Sequence, residues 1–417
     1  MQQDSLETPK SPFHVLIIGG GVGGLCLAQG LKQSGISVAV YERDRSVHFR
    51  SQGYRLHINP DGSRALHDCL PENLFNLFVA TSGKPAMGGL VNYDSQLRGG
   101  DSRPSHQIGA SSPFLLSTEI NRLTLREILL ANLDDIVHFD KTLERFEYMD
   151  SGKIRASFAD GTSAEGDVLI GADGTHSITR QLLLPEARVP EVGFAIYGKT
   201  PLTPEAMTWI PQSVIENFSR ITDPDGVAMM FGTYRKREEF AEATAKYAPH
   251  LHLTETQNYL MWTFRAELSQ LGFAEEEFWS ADPAALHAAA DHLVKAWHPS
   301  LRRIVAEADI PATFSVGFRA SEPVKAWQAT NVTLLGDAIH TMPPFRGVGA
   351  NTALRDAELL HHTLVAVATK EVPLIQAMGE YEAAMLDYGF EAVRNTIERP
   401  LFGPPKSGAT HERKRSR

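Results

Sequence analysis

"VLIIGGGVGGLCLAQGLKQSGISVAVYER" runs from Val15 to Arg43, and its reading decides the fold. Residues 14–18 are a short apolar run rich in β-branched side chains, which suits a strand buried on both faces of a parallel sheet. Gly19 to Gly24 follow at once; Leu25, Leu27, Ala28 and Leu31 then fall at helical spacing as far as Gly35, and "SVAVYER" is the next strand. Strand, glycine turn, helix and strand in this order make a βαβ unit. Gly19-x-Gly21-x-x-Gly24 fits the dinucleotide fingerprint. Its first glycine allows the tight turn, the second lets a pyrophosphate approach the backbone, and the third lets helix and strand pack closely. The helix start supplies amide donors and partial positive charge. Glu42, beside Arg43 at the end of the second strand, stands where a carboxylate accepts from ribose hydroxyls and disfavours a 2′-phosphate. A flavin and a nicotinamide dinucleotide both remain open at this point.

The chain has 417 residues, 42% of them apolar and 22% charged, ordinary for globular domains with a large core. A net charge of −10 argues against nucleic-acid binding, which needs a basic face. The basic run His411 to Arg417 reads as a solvated end. Cys26 and Cys69 cannot form a disulfide framework, and Cys26 falls in an apolar helix as an inert thiol. "MQQDSLETPKSPF" lacks an apolar signal region, and no transmembrane span is expected, so the sequons at Asn217 and Asn331 carry no weight and a cytoplasmic location is expected.

Further along, "NRLTLREILLANL" (121–133) reads as an amphipathic helix, and "GKIRASFADGTSAEGDVLIGADG" as two strands about an Asp160-Gly161 turn followed by a buried strand. Residues 186–320 change character, with strand-like pieces such as "VAMMFGTYR" and "NYLMWTFRAE" and then helical runs. The βα pattern returns at "NVTLLGDAIH", and helices close the chain before the prolines at 400–405. The expected organisation is a discontinuous Rossmann-like nucleotide domain from 12–80, 111–185 and 321–399, the last with C-terminal helices. Into it is inserted an α+β substrate domain on a mixed sheet, from 186–320 with a contribution from 81–110, and a tail occupies 400–417.

Two further motifs bear on the nucleotide. In "GDVLIGADGTHSITR" (166–180), Asp173 and Gly174 follow a strand, and the Asp173 side chain is placed to reach a ribityl or pyrophosphate group. In "LLGDAIHTMPPFRGVGANTALRDA" (334–357), Gly336-Asp337 ends a strand, Pro343 stiffens a loop, and Gly347 and Gly349 let backbone amides approach a flat ligand at a helix start.

Over roughly 14–185 and 320–390 the chain resembles the class A FAD-dependent aromatic hydroxylases, the para-hydroxybenzoate and salicylate hydroxylase group. The resemblance implies that Gly19, Gly21, Gly24, Glu42 and Arg43 hold the ADP half of FAD, with Arg50 and Gly53 as less secure contacts. It implies that Arg122 lies along the cofactor, that Asp173-Gly174 and Gly336-Asp337 hold FAD, the former also serving NAD(P)H, and that Pro343, Gly347, Gly349, Ala350 and Asn351 lie beside the isoalloxazine ring. The family has glycine where this chain has Arg346, often glutamine in place of Val348, and in several relatives an arginine where "FAIYGKT" places Tyr197. Arg346 either stabilises the anionic reduced ring or points to solvent.

The reaction implied is transient reduction by NAD(P)H, then O₂ and a flavin C4a-hydroperoxide that hydroxylates or epoxidises an aromatic or polyene metabolite, as in secondary metabolism. No second glycine fingerprint appears after residue 24, so the nicotinamide has no domain of its own. Candidate catalytic residues are Tyr197, Arg55 and Tyr234, with His57 near them; each also reads as strand alternation or as a core tyrosine. His340 sits in the third motif, His361-His362 read as a helix surface, and no histidine, cysteine or acid set has metal spacing, so no metal is expected. "TWIP" (208–211) reads as a hydrophobic strand end. The alternatives are a flavin dehydrogenase or reductase of the same fold, and a non-catalytic carrier.

Overall fold

The computed structural model describes residues 13–49, 54–84, 89–103 and 116–398. Five parallel strands form the nucleotide-side sheet, in the order Val332–Leu334, Val168–Gly171, His14–Ile18, Ser37–Tyr41 and Val137–His138. Alternation explains why the first strand is apolar throughout: Val15 and Ile17 enter the core beneath the helices Val22–Gln33 and Gly349–Ala368, while Leu16 and Ile18 meet Ile154, Ala156 and Phe158 on the opposite side. Those last residues belong to an antiparallel sheet of Leu143–Tyr148, Ile154–Phe158 and Ser163–Gly166. Its turn runs through Gly161 at φ +82°, as the Asp160-Gly161 pair predicts.

The second large sheet has seven strands, ordered Phe314–Arg319, Glu191–Pro201, Tyr259–Arg265, Ala228–Tyr234, Phe218–Thr222, Leu90–Asp94 and Gly99–Arg103. It is antiparallel except where Phe218–Thr222 runs parallel to Leu90–Asp94. One face packs Ile196, Met229, Phe231, Leu260, Trp262 and Phe264 against the helices Pro283–Leu293 and Pro299–Ala306. The other face carries a tyrosine-rich cluster of Tyr197, Tyr234, Tyr259 and Met261, with Tyr54, Phe218 and Phe314 at its margin. It is turned toward a two-stranded ribbon of Arg55–Ile58 and Thr118–Asn121. The helix Leu374–Glu398 closes the described chain.

Two local readings are corrected. "TWIP" ends a short helix, Ala206–Trp209, and not a strand; the Thr203 hydroxyl accepts from the Ala206 amide and starts the turn. His361 is buried, 2.8 Å from the Ser34 hydroxyl and near Cys69, because its helix turns that face toward Val22–Gln33. Both cysteines are buried and free. Arg50, Gly53 and the tail lie outside the described residues. Among the described residues no helix is long and apolar enough to cross a membrane.

Candidate active site

The three glycine-bearing motifs follow the C-terminal ends of three adjacent parallel strands, His14–Ile18, Val168–Gly171 and Val332–Leu334. That edge is where open α/β sheets bind ligands. The loops touch one another there. A Cβ on Gly19, held at φ +112°, would lie 2.3 Å from the Ala172 carbonyl oxygen, and one on Gly23 would lie 2.6 Å from the Leu335 side chain. Gly24 is equally constrained, 2.3 Å from the Gly19 carbonyl oxygen, which is the close packing expected of the third glycine. Gly21 meets nothing within 4 Å, and neither does Gly174. The first-turn amides beyond Gly21 and Val348 have no acceptors within their own helices. Open space over exposed donors is what a pyrophosphate and a flat ring require, so the residues present fit FAD.

Glu42 is buried and shapes the first loop: its carboxylate accepts from the Gly20 amide at 2.6 Å and the Asp44 amide at 2.8 Å. Arg126 locks this corner. Its Nε donates to the Gly20 carbonyl at 3.1 Å, and its guanidinium lies 3.6 Å from both Glu42 and Asp44. The carboxylate keeps lone pairs for ribose hydroxyls. Arg126 was missed in the sequence, although it stands four residues after Arg122, one turn along the same helix face. Arg43 is exposed, and with Arg319 and Arg180 it surrounds His176, whose imidazole burial and these charges push below its ordinary value.

Asp173 does not reach outward as expected. One oxygen accepts from the Ser177 hydroxyl at 2.5 Å; the other accepts from the Ile178 and Thr179 amides at 2.8 and 3.1 Å. The helix Ile178–Leu183 offers orphan amides five residues away, and the side chain turns back to satisfy them. Asp173 therefore sets the conformation of the Gly174 loop, which presents backbone to the groove.

Asp337 is exposed at the strand edge. Crowding by the surrounding protein raises its carboxyl above the usual range, opposed by the nearby His340 and Arg122 charges. Arg122 lies with its guanidinium 5.4 Å over the Tyr54 ring, so Arg122 and Asp337 share the groove. Behind them, Asp356 is wholly buried and accepts from the Gly336 amide (2.7 Å) and the Tyr388 hydroxyl (2.6 Å), and pairs with His340 (2.7 Å). His340 is thus a support behind the loop. In the third motif, Gly347 adopts φ +64° and approaches the His57 Cβ. The Asn351 amide donates to the His57 and Gly347 carbonyls, and its oxygen accepts from the Asn59 amide, stitching ribbon to helix. Gly349 packs on Met342, Pro343 is buried, and Ala350 lies in the first turn of the helix. Arg346 lines a 220 Å³ pocket with Arg355, Tyr388 and Glu391, on the side of the C-terminal helix.

On the ribbon, Arg55 and His57 share a face with Glu119 and Asn121. Arg55 is paired with Glu119 at 2.6 Å and covers the Phe218 ring, beside a cavity of about 10 Å³ with room for one water at most. Burial and the neighbouring Arg55 push the His57 imidazole down to about 4, so it is neutral at pH 7. Tyr197 stacks on Phe314 (4.9 Å) and its hydroxyl accepts from the Arg55 amide, with burial pushing its pKa up. Tyr234 is fully buried and donates to the Thr81 carbonyl at 2.8 Å, the position of a core tyrosine.

The FAD binding domain family matches residues 137–384, and the NAD(P)-binding Rossmann-like domain family matches residues 17–80. A solved structure from Photorhabdus luminescens, assigned as an FAD containing monooxygenase, is 32% identical, superposes with a TM-score of 0.77 and is covered over 97% of its length by 93% of this chain. The chain belongs to the class A FAD-dependent monooxygenases. Its cofactor is FAD. Among curated relatives, a dual O-methyltransferase/FAD-dependent monooxygenase of Cercospora beticola is 33% identical over 89% of this chain, and an FAD-dependent monooxygenase of Penicillium herquei is 25% identical over 92%. The chain covers 44% of the former protein and 90% of the latter. It spans less than half the length of such dual-activity relatives.

Proposed function

We propose that this chain is an NAD(P)H-dependent monooxygenase that hydroxylates or epoxidises an aromatic or polyene small molecule of secondary metabolism. NAD(P)H supplies two electrons; one atom of O₂ enters the substrate and the other leaves as water. The observation that carries the reading is the meeting of Gly21, the Gly174 loop and Gly336-Asp337 at one strand edge, facing a sheet walled with Tyr197, Phe314 and Met261. When bound, FAD supplies the redox chemistry that links the nicotinamide to O₂.

The chain's own residues bind, orient and exclude water. Glu42 and Arg126 fix the nucleotide loop, and Asp337 and Arg122 offer a polar edge for ribityl hydroxyls. Asn351 and Asp356 hold the third motif in register. The aromatic wall keeps the reacting carbon dry and suits a bulky ring. Arg55, held by Glu119, brings positive charge to that wall, whereas neutral His57 brings none. Arg43, exposed, and Arg319, partly exposed, flank His176 near Gly174 with the charge sign that NAD(P)H phosphates require, and Arg180 is buried behind them, donating to the Ala338 and Thr175 carbonyls. A cytoplasmic setting, where NAD(P)H is available, belongs to the same reading.

The test is direct. Purified protein is expected to carry or take up FAD, to oxidise NADH or NADPH with uptake of O₂, and to release peroxide when no substrate is present. Protein that cannot be reconstituted with FAD would point to a carrier, and substrate turnover without O₂ would point to a dehydrogenase.

A further inference from the structure

Away from the cofactor groove, the helix Pro60–Cys69 packs along Gly349–Ala368 and brings metal-ligating side chains together at the surface. Glu358 and His362 stand one turn apart on the second helix, so both project from the same face. Asp68 meets them from the last turn of the first. One carboxylate oxygen of Asp68, one of Glu358 and one ring nitrogen of His362 all lie within 4.8 Å of one another, and Asp68 Oδ2 is 3.6 Å from His362 Nε2. His67 Nδ1 holds the other Asp68 oxygen at 3.2 Å. His361 takes no part, since it turns inward to Ser34 and Cys69. Asp68 stands far before Glu358 in the chain, which is why spacing along the sequence did not show the set.

Negative charge is in excess there. Arg64 is divided between Glu358, at 2.9 Å, and Asp61, at 3.3 Å. Asp68 pairs with no lysine or arginine among the described residues and faces the imidazoles of His67 and His362. Carboxylates this close repel one another unless a cation lies between them, and each keeps lone pairs that these partners leave unused. Side-chain exposure falls from 60% at His362 through 32% at Asp68 to 13% at Glu358, so the set opens to solvent at the histidine and an ion can reach it from that side.

We propose that Asp68, Glu358 and His362 bind a divalent first-row transition metal ion of the zinc class, which clamps the two helices together. Zinc bonds to nitrogen and oxygen of about 2.0–2.2 Å set neighbouring ligands about 3.3–3.6 Å apart. The 3.6 Å between Asp68 and His362 is therefore close to the bound separation. Glu358 completes the triangle by a short side-chain movement and keeps Arg64 on its other oxygen, and water fills the remaining positions on the exposed side. An imidazole among the ligands selects zinc, nickel and copper over magnesium and calcium, which take oxygen donors. His67 orients Asp68 from outside the coordination sphere. The same two helices are already joined at their starts, where the Asn351 side chain accepts from the Asn59 amide, and the ion fastens them further along. The site lies apart from the monooxygenase reading and does not depend on it.

The experiment is calorimetric titration of the FAD-loaded protein, stripped of metal with EDTA and moved to a non-chelating buffer, with ZnCl₂ and with MgCl₂. Wild type is compared with Asp68→Asn, Glu358→Gln, His362→Ala and His67→Ala, and with His292→Ala, which removes an exposed histidine on the distant helix Pro283–Leu293. Wild type is expected to bind one Zn²⁺ and no Mg²⁺, and Zn²⁺ is expected to raise its thermal midpoint, reversibly with EDTA, because the ion binds the folded arrangement. Loss of any one ligand is expected to weaken Zn²⁺ binding at least about a hundredfold, and His67→Ala about tenfold, while His292→Ala binds as wild type. Each midpoint is read against the same variant without metal, so a variant that is itself less stable still reports on the site. Absence of stoichiometric Zn²⁺ binding by wild type, equal binding of Mg²⁺, or Zn²⁺ binding that survives the three ligand substitutions would each overturn the site.

Discussion

Gly21 and Gly24 stand three residues apart and answer to different forces. A Cβ on Gly24 collides with the Gly19 carbonyl oxygen at 2.3 Å, whereas one on Gly21 enters open space. Gly24→Ala is expected to destabilise the apoprotein by about 1–3 kcal/mol, the usual cost of overpacking, measured as a lower urea midpoint. Gly21→Val is expected to leave that midpoint within about 0.5 kcal/mol while FAD retention on gel filtration falls at least about tenfold. Motif spacing made the close packing at Gly24 and the open approach at Gly21 legible, because each need is local. Asp173 was misread in direction, since its partners, the amides of Ile178 and Thr179, exist only once the following helix forms. Arg126 was invisible for a similar reason: its value comes from Gly20 and Glu42, over eighty residues away in sequence.

At the scale of elements, the C-terminal helix Leu374–Glu398 braces the strand that ends in the Gly336-Asp337 pair: the Tyr381 hydroxyl donates to the Leu334 carbonyl at 2.8 Å. On the same helix, burial lifts the Glu382 carboxyl from 4.5 to about 7, against a hydrogen bond from Trp327. An acid whose folded pKa is raised binds its proton more tightly when folded, so its contribution is present below pH 4.5 and is lost as pH rises toward about 7. Glu382→Gln is therefore expected to stabilise the chain by about 1–3 kcal/mol at pH 8 and to change little at pH 4, read from urea unfolding at the two pH values. Asn351 joins the helix Gly349–Ala368 to His57 and Asn59 at the end of the ribbon through two hydrogen bonds, and to the Gly347 carbonyl of its own loop through a third. Asn351→Ala leaves buried backbone groups unpaired, and a loss of about 2 kcal/mol in unfolding free energy is expected, together with weaker FAD retention. The helices themselves were legible from apolar spacing, but these cross-links between distant elements were not.

For the whole molecule, the cofactor groove is assembled by the ends of three strands that belong to separate parts of the chain. A ligand that binds only this assembled edge stabilises the native state alone. FAD at about 100 times its dissociation constant should raise the unfolding free energy by about 2.7 kcal/mol, and Asp337→Ala should reduce that gain, measured by thermal shift against FAD concentration. The parallel sheet and its crossover helices could be read from the sequence, because strand, glycine turn and helix are contiguous in each unit. The ordering of the seven-stranded sheet could not, since Leu90–Asp94 pairs with Phe218–Thr222 across more than a hundred residues and no local pattern encodes that meeting. The alternation of that sheet has a practical corollary. Along Tyr259–Arg265, one set of residues (Tyr259, Met261, Thr263, Arg265) lies on the tyrosine-rich face of the sheet, while Leu260, Trp262 and Phe264 hold the hydrophobic layer beneath. A combinatorial library that varies only every second codon in these strands would resculpt the lining of the proposed substrate site without disturbing its foundations.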